Sequence, residues 1–321
     1  MRLACLVLAA ALGPLLSATA DAQAWPSRPI RFLVAWPPAG LNDVLARAYN
    51  ERVSKSLGQP IVLENRPGAG GVVGTTEMAK AAPDGYTLGM GTLGPLTIVP
   101  HLRNDLQYTL KSFTPVAMLG ISPLVLAVSA ETPAKSIPEF IALAKAKPGA
   151  LNFGQPGLGS TQSIGFEVFK HAAGIDVANV PYKGTPDSLT ALLANQTQVM
   201  LDTLGPLLPH VRSGKIRALA VTTPRRVDAL PEVPTFTELG HADASVFTWH
   251  VVIAPAGTPE AILERLAKEY AAAGQSPEVQ AVLANQAMMP LPSTRQEISG
   301  RLDQESASRR KIITERGIKL Q

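Results

Sequence analysis

Cysteine is almost absent from this sequence. The only one in 321 residues is Cys5, inside the apolar N-terminal stretch. The rest of the chain therefore has no thiol for a disulfide framework, a thiolate zinc site or nucleophilic catalysis. Charge is sparse as well: 17% of residues are charged, with 29 Lys and Arg against 25 Asp and Glu and no basic run interleaved with aromatics, so no nucleic-acid surface is implied. No segment has the ~20 consecutive apolar residues of a membrane-spanning helix. The five histidines are scattered. None pairs with another at helical metal-ligand spacing, and His241-x-Asp243, the nearest approach, reads as a solvated loop. Neither Ser160 nor Ser163 has glycines both two before and two after it, as a nucleophile elbow requires. A secreted hydrolase thus lacks its constellation; no enzyme, metal or cofactor is expected.

What is present begins with an export pattern. Arg2, the apolar stretch Leu3 to Leu16 and the small residues Ala20 and Ala22 around Asp21 read as a signal peptide over 1–22, cut to expose Gln23. Cys5 precedes nearly all of the apolar stretch, so lipidation is not expected. The remainder, in a chain that is 46% hydrophobic, is long enough for two domains of ordinary size.

Short apolar runs at Ile30 to Ala35, Ile61 to Leu63, Tyr86 to Met90, Val125 to Val128, Leu151 to Phe153, Ala178 to Tyr182, Val199 to Asp202 and Ile216 to Val221 read as strands. Most are separated by helical patterns. The alternation predicts an α/β fold with largely parallel sheets. Leu41, Val44, Leu45, Ala48, Val53 and Leu57 keep helical spacing up to Gly58, and Ser136 with Glu139 forms a capping box. Val125 to Val128 and Val246 to Ile253 bracket a middle block with its own strands and helices. The chain is therefore expected to form two α/β lobes joined by a crossing-strand hinge, 23–122 plus 250–321 and 123–249, able to close on a ligand.

In open α/β sheets, ligands sit beyond the carboxyl ends of strands, where helix N-termini converge. Four loops have that character: Trp36 to Gly40 running to Asn42 and Asp43, Gly91 to Gly94, Gln155 to Thr161, and Lys183 to Thr185. Glycine lets backbone approach a ligand, and a Ser or Thr cap adds a hydroxyl beside free N–H groups, which suits a carboxylate. The expected ligand-binding residues are Pro38, Ala39, Gly40, Asp43, Thr92, Gly157, Gly159, Ser160, Thr161, Lys183, Gly184, Thr185 and Asp202. Trp36 leans toward the pocket and Trp249 toward packing. The Gly68 to Gly74 segment resembles a dinucleotide-binding turn only loosely, with its last glycine one place late, and reads as a structural loop.

Several motifs occur in order: Trp25-Pro-Ser-Arg-Pro-Ile30, Glu64-Asn-Arg-Pro-Gly-Ala-Gly-Gly71, Ala82-Pro-Asp-Gly-Tyr86, Val180-Pro-Tyr-Lys-Gly184 and Gly214-Lys-Ile-Arg-Ala-Leu-Ala-Val221. Together they closely resemble the Bug-type solute receptors of tripartite tricarboxylate transporters, over essentially the whole chain after the signal segment. The resemblance implies a type II periplasmic binding fold, a periplasmic location, a small carboxylate ligand and delivery to the membrane components of such a transporter. It also implies a carboxylate grip by the loops at Gly157 to Thr161 and Lys183 to Thr185, with ordered waters at Pro38 to Gly40. Ala39 stands where the family usually has glycine, Trp36 where a smaller aromatic is common and Asn42 where threonine is frequent, while Gln162 and Ser163 replace a polar-then-histidine pattern. A monomer is expected. The alternative partner is a signalling protein, with the chain as its ligand-responsive sensor.

Overall fold

A computed structural model describes residues 25–315, 317 and 318, so the expected signal segment lies outside the described residues. The first third supplies β1 (Ile30–Val34), α1 (Leu41–Leu57), β2 (Ile61–Asn65), α2 (Val72–Ala79) and β3 (Thr87–Thr92), with β1 parallel to both β2 and β3. Leu45, Val53 and Leu57 are buried along one face of α1. That helix stops at Gly58, whose φ of 69° is the left-handed conformation glycine adopts without a Cβ penalty, and whose N–H donates to the Ser54 carbonyl.

The chain continues through β4 (Phe113–Ser129), α3 (Ile137–Ala146), β5 (Asn152–Gln155), α4 (Thr161–Ala173), β6 (Ala178–Pro181), α5 (Thr185–Leu193), β7 (Val199–Thr203), α6 (Leu204–Arg212) and β8 (Ile216–Val221). It ends with β9 (Phe247–Pro255), α7 (Glu260–Gly274), α8 (Pro277–Asn285) and α9 (Arg295–Glu315). The strands run in the order β2-β1-β3-β9-β4-β7-β5-β6, with β8 also on β4.

The sheet is less parallel than the sequence predicts. Pairings within each half are parallel where a helix crosses over, as between β5 and β6. In contrast, β4 is antiparallel to β7, β8 and β9, and β9 to β3. The reason is connectivity: β4 carries the chain out of the first half and β9 brings it back, so the two must run oppositely. β4 is one strand of 17 residues. Its first part, from Phe113 to Pro123, pairs with β9, and its last part, from Leu124 onward, pairs with β7 and β8.

Each half has a core. One gathers Ile30, Phe32, Leu88, Leu45, Leu266 and Leu283 from β1, β3, α1, α7 and α8. The other surrounds Phe140, Phe153, Phe166 and Phe169, where the rings of Phe153 and Phe166 stack at 3.9 Å. The C-terminal segment touches both halves: Arg295 pairs with Glu260 at 2.5 Å, and Ile313 enters the phenylalanine-rich core.

Candidate functional site

The halves meet around a narrow cavity. Gly40, Leu41 and Asn42 enter it from the start of α1, Thr161 and Gln162 from α4, and Thr185 and Pro186 from α5. Thr203, at the end of β7 and just before α6, faces the same space, as do Trp36, Thr92, Gly94, Thr248 and His250. Three helices of eight residues or more thus aim their first turns at one point. Their leading N–H groups precede the first i→i−4 bonds, which begin at Val44, Ile164 and Ser188. Such groups carry partial positive charge and favour an anion. No Lys, Arg, Asp or Glu lines the cavity.

The side chains behind this lining hold it in register. On the α1 side, Asp43 is buried and accepts from the Ala39 N–H at 3.1 Å and from Arg47 Nε at 3.0 Å. Burial pushes its carboxyl up, but the Arg47 guanidinium and the Ala39 N–H outweigh that and hold it below the usual range. Trp36 Nε1 donates to Thr92 Oγ1 at 3.3 Å. His250, 1% exposed, lies between Asn42 Oδ1 and Ser122 Oγ, each 2.9 Å away. Burial takes its imidazole down to about 3, so the ring is neutral. With a carbonyl oxygen facing Nδ1, that nitrogen carries the proton and Nε2 accepts from Ser122.

On the opposite side one residue does this work. Asp202 is fully buried and accepts from Gln162 Nε2 at 2.9 Å, Thr185 Oγ1 at 2.8 Å and the Thr203 N–H at 2.6 Å. Burial raises its carboxyl above the usual range against the pull of these donors.

Of the residues expected from sequence, Gly40, Thr92, Thr161 and Thr185 line the cavity. Ser160 is fully buried as the N-cap of α4, accepting from the Ser163 N–H at 3.1 Å. Asp202 lies behind the lining and Asp43 turns back toward Arg47. Pro38 and Ala39 are exposed, and Ala39 sits at a φ of 62°, where glycine is favoured. Lys183 is also exposed, in a separate depression with Gly157, Leu158 and Asp187. Thr185 is the first residue of α5 rather than its cap, which is Gly184, and its hydroxyl goes to Asp202. Trp249 is buried in a core cluster.

The glycines at the rim bring the two halves into backbone contact. A Cβ on Gly70 would overlap the Leu158 carbonyl, one on Gly184 would lie 2.7 Å from Pro37 Cδ, and one on Gly94 would lie 3.0 Å from the Gly159 oxygen. The loop at Gly68 to Gly71, read as structural from sequence, is therefore part of this rim. The sequence-based list omits Asn42, Gln162, Thr203, Thr248 and His250. Asn42 and Gln162 had a usable signal, since each is the second residue after a helix cap. His250 had none, because its partners are brought to it only by the β4–β9 pairing and by α1.

A profile described as tripartite tricarboxylate transporter family receptor matches residues 45–318. The chain belongs to that receptor family. It is 36% identical to protein BugT of Bordetella pertussis over 307 residues, covering 95% of this chain and 94% of BugT. It superposes on MatC of Rhodopseudomonas palustris, solved with bound malate, with a TM-score of 0.86 at 31% identity, covering 90% of this chain and all of that one. An R. palustris protein solved with adipate gives 0.87 at 32% identity, covering 92% of this chain and 99% of that one. Members of this receptor family are periplasmic solute-binding proteins, and this chain is a receptor of that kind rather than an enzyme. Among the described residues no helix is long and apolar enough to cross a membrane.

Proposed function

We propose that this receptor captures a small organic carboxylate between its halves in the periplasm and delivers it to the membrane components of a tripartite tricarboxylate transporter. The observation that carries the reading is the cavity itself: three helix N-termini converge on a space with no ionised side chain in its lining. Backbone N–H groups and neutral polar side chains can hold a carboxylate there without a paired cation, and no reacting group is needed. The ligands named for MatC and the adipate-bound relative support the same chemistry.

In this reading the lobes are 23–122 plus 250–321 and 123–249, with β4 and β9 as the hinge, and the receptor acts as a monomer after loss of residues 1–22. Gly40, Thr92, Thr161 and Thr185 meet the ligand. Ser160 and Asp202 hold that wall, Pro38, Ala39 and Asp43 shape the first loop, and Gly157, Gly159, Lys183 and Gly184 edge the opening. The test is calorimetric titration of the chain from residue 23, unfolded and refolded to strip carried-over ligand, against aliphatic, aromatic and amino-acid carboxylates. Ser160→Ala combined with Thr161→Ala is expected to weaken binding by about 1–3 kcal/mol. Unchanged affinity in the double variant rejects the assigned wall.

A further inference from the structure

A carboxylate needs donors, and the helix N-termini supply backbone ones, yet three side chains on one wall of this cavity have theirs turned away. The Thr185 hydroxyl has a single proton, and it is given to Asp202 Oδ2 at 2.8 Å. Whatever Thr185 Oγ1 meets in the cavity it can therefore meet only as an acceptor. Gln162 likewise spends one N–H on Asp202 Oδ1, at 2.9 Å. The Thr203 hydroxyl is committed to the same oxygen at 3.3 Å, and the Thr203 N–H at 2.6 Å. Four donors thus converge on a fully buried carboxylate, and the three residues that supply them line the cavity.

The side chains on the facing side have the reverse polarity. His250 Nδ1 donates to Asn42 Oδ1, so the carbonyl end of Asn42 is occupied and its amide N–H groups remain to be used. Thr92 Oγ1 accepts from Trp36 Nε1, which leaves its own proton free. Together with the leading N–H groups of α1, these are carboxylate-binding donors.

Resting on the carboxylate reading above, we infer that the ligand carries a hydrogen-bond donor, a hydroxyl or an ammonium, next to a carboxylate, and that Asp202 is the positioning residue that imposes this requirement through Thr185. The carboxylate takes the free N–H groups, and the neighbouring donor takes Thr185 Oγ1. An unsubstituted dicarboxylate would cover that half-buried oxygen and leave it unpaired. A site built around such a contact discriminates strongly against the analogue lacking it.

The experiment is calorimetry on stripped wild-type chain with matched ligands at two lengths: succinate, malate and aspartate, then adipate and 2-aminoadipate. At the length that fits, the substituted ligand is expected to bind at least about tenfold more tightly than its unsubstituted partner. A preference for malate identifies the donor as hydroxyl, and one for aspartate or 2-aminoadipate as ammonium; either supports the inference. Thr185→Val is expected to shrink the preference to within about threefold while keeping the unsubstituted ligand bound, and Thr185→Ser to retain it. Asp202→Asn can donate to Thr185 Oγ1 and free the hydroxyl proton, so it should shift preference toward the unsubstituted ligand. This is a readout that loss of scaffolding alone would not produce. Tight wild-type binding of an unsubstituted ligand with no gain from the substituent overturns the inference and leaves the carboxylate reading standing. No binding by any member of this panel or of the wider carboxylate panel above overturns both.

Discussion

The two sides of the cleft are built on opposite electrostatic plans. The α1 side is oriented by neutral partners, with Asn42 held by an uncharged His250 and Thr92 by the Trp36 indole, while its one acid, Asp43, is matched by Arg47. The opposite side is oriented by Asp202, a fully buried carboxylate satisfied by neutral donors alone. On the proposed carboxylate reading, a cavity that takes an anion can have a buried negative charge behind it, provided that charge is consumed in aligning the lining. A side chain's place in the lining thus does not say what it offers a ligand; its partner on the far side does.

The largest expected effect comes from breaking the charged plan. Asp202→Ala leaves the Gln162 amide and the Thr185 and Thr203 hydroxyls without their acceptor in a buried setting, at a cost of about 3 kcal/mol in unfolding free energy by urea titration. A loss under about 1 kcal/mol would mean those groups find other partners as readily as they would on the neutral side.

The two plans also titrate in opposite senses. Unfolded His250 takes a proton below its ordinary value of 6.5, whereas the native ring resists until about 3. Its contribution to stability is whole above 6.5 and is lost as pH falls from there toward 3. The slope is up to about 1.4 kcal/mol per pH unit in that window. Asp202, raised by burial, works the other way: its contribution is whole below the unfolded value of 3.8 and is lost as pH rises through the folded one. The difference between wild type and His250→Asn in denaturant unfolding at pH 5 and pH 7 isolates the first effect, with a smaller acid loss expected for the variant.

The smallest effect concerns the loop before α1. Ala39→Gly relieves a left-handed alanine, with an expected gain of up to about 1 kcal/mol, reduced by glycine's greater freedom in the unfolded chain. Thermal unfolding measures it. A loss instead would mean that the Ala39 methyl group supports the rim.

Much of the fold was legible because local rules agreed with it. Helix α1 runs from Leu41 to Leu57 as its spacing and Gly58 predict, and β8 has its expected limits. The strand β4 was legible only at Val125 to Val128, because Pro115, Gly120 and Pro123 interrupt its earlier part. Pro115 and Gly120 coincide with shifts in the pairing to β9, which tolerates them through bulges. In the site, glycine-rich loops and caps are local signals, and of the residues they pointed to, Gly40, Thr92, Thr161 and Thr185 line the cavity. What Thr185 offers was not legible: the residue reads as a helix-start hydroxyl until Asp202, 17 positions on, takes its proton. Asn42 and His250 are 208 positions apart, and no periodicity encodes their meeting.

The glycines at Gly70, Gly94 and Gly184 make the rim a fit achieved by omitted atoms. Such a fit has a one-sided tolerance: nothing can be subtracted from it, and any addition pushes the halves apart. In the closing receptor proposed above, the resting balance between shut and open forms would thus be set far from the ligand by a single methyl group. Because apparent affinity scales with the competent fraction of the population, a receptor of this design can be weakened for an abundant solute without altering which solute it selects.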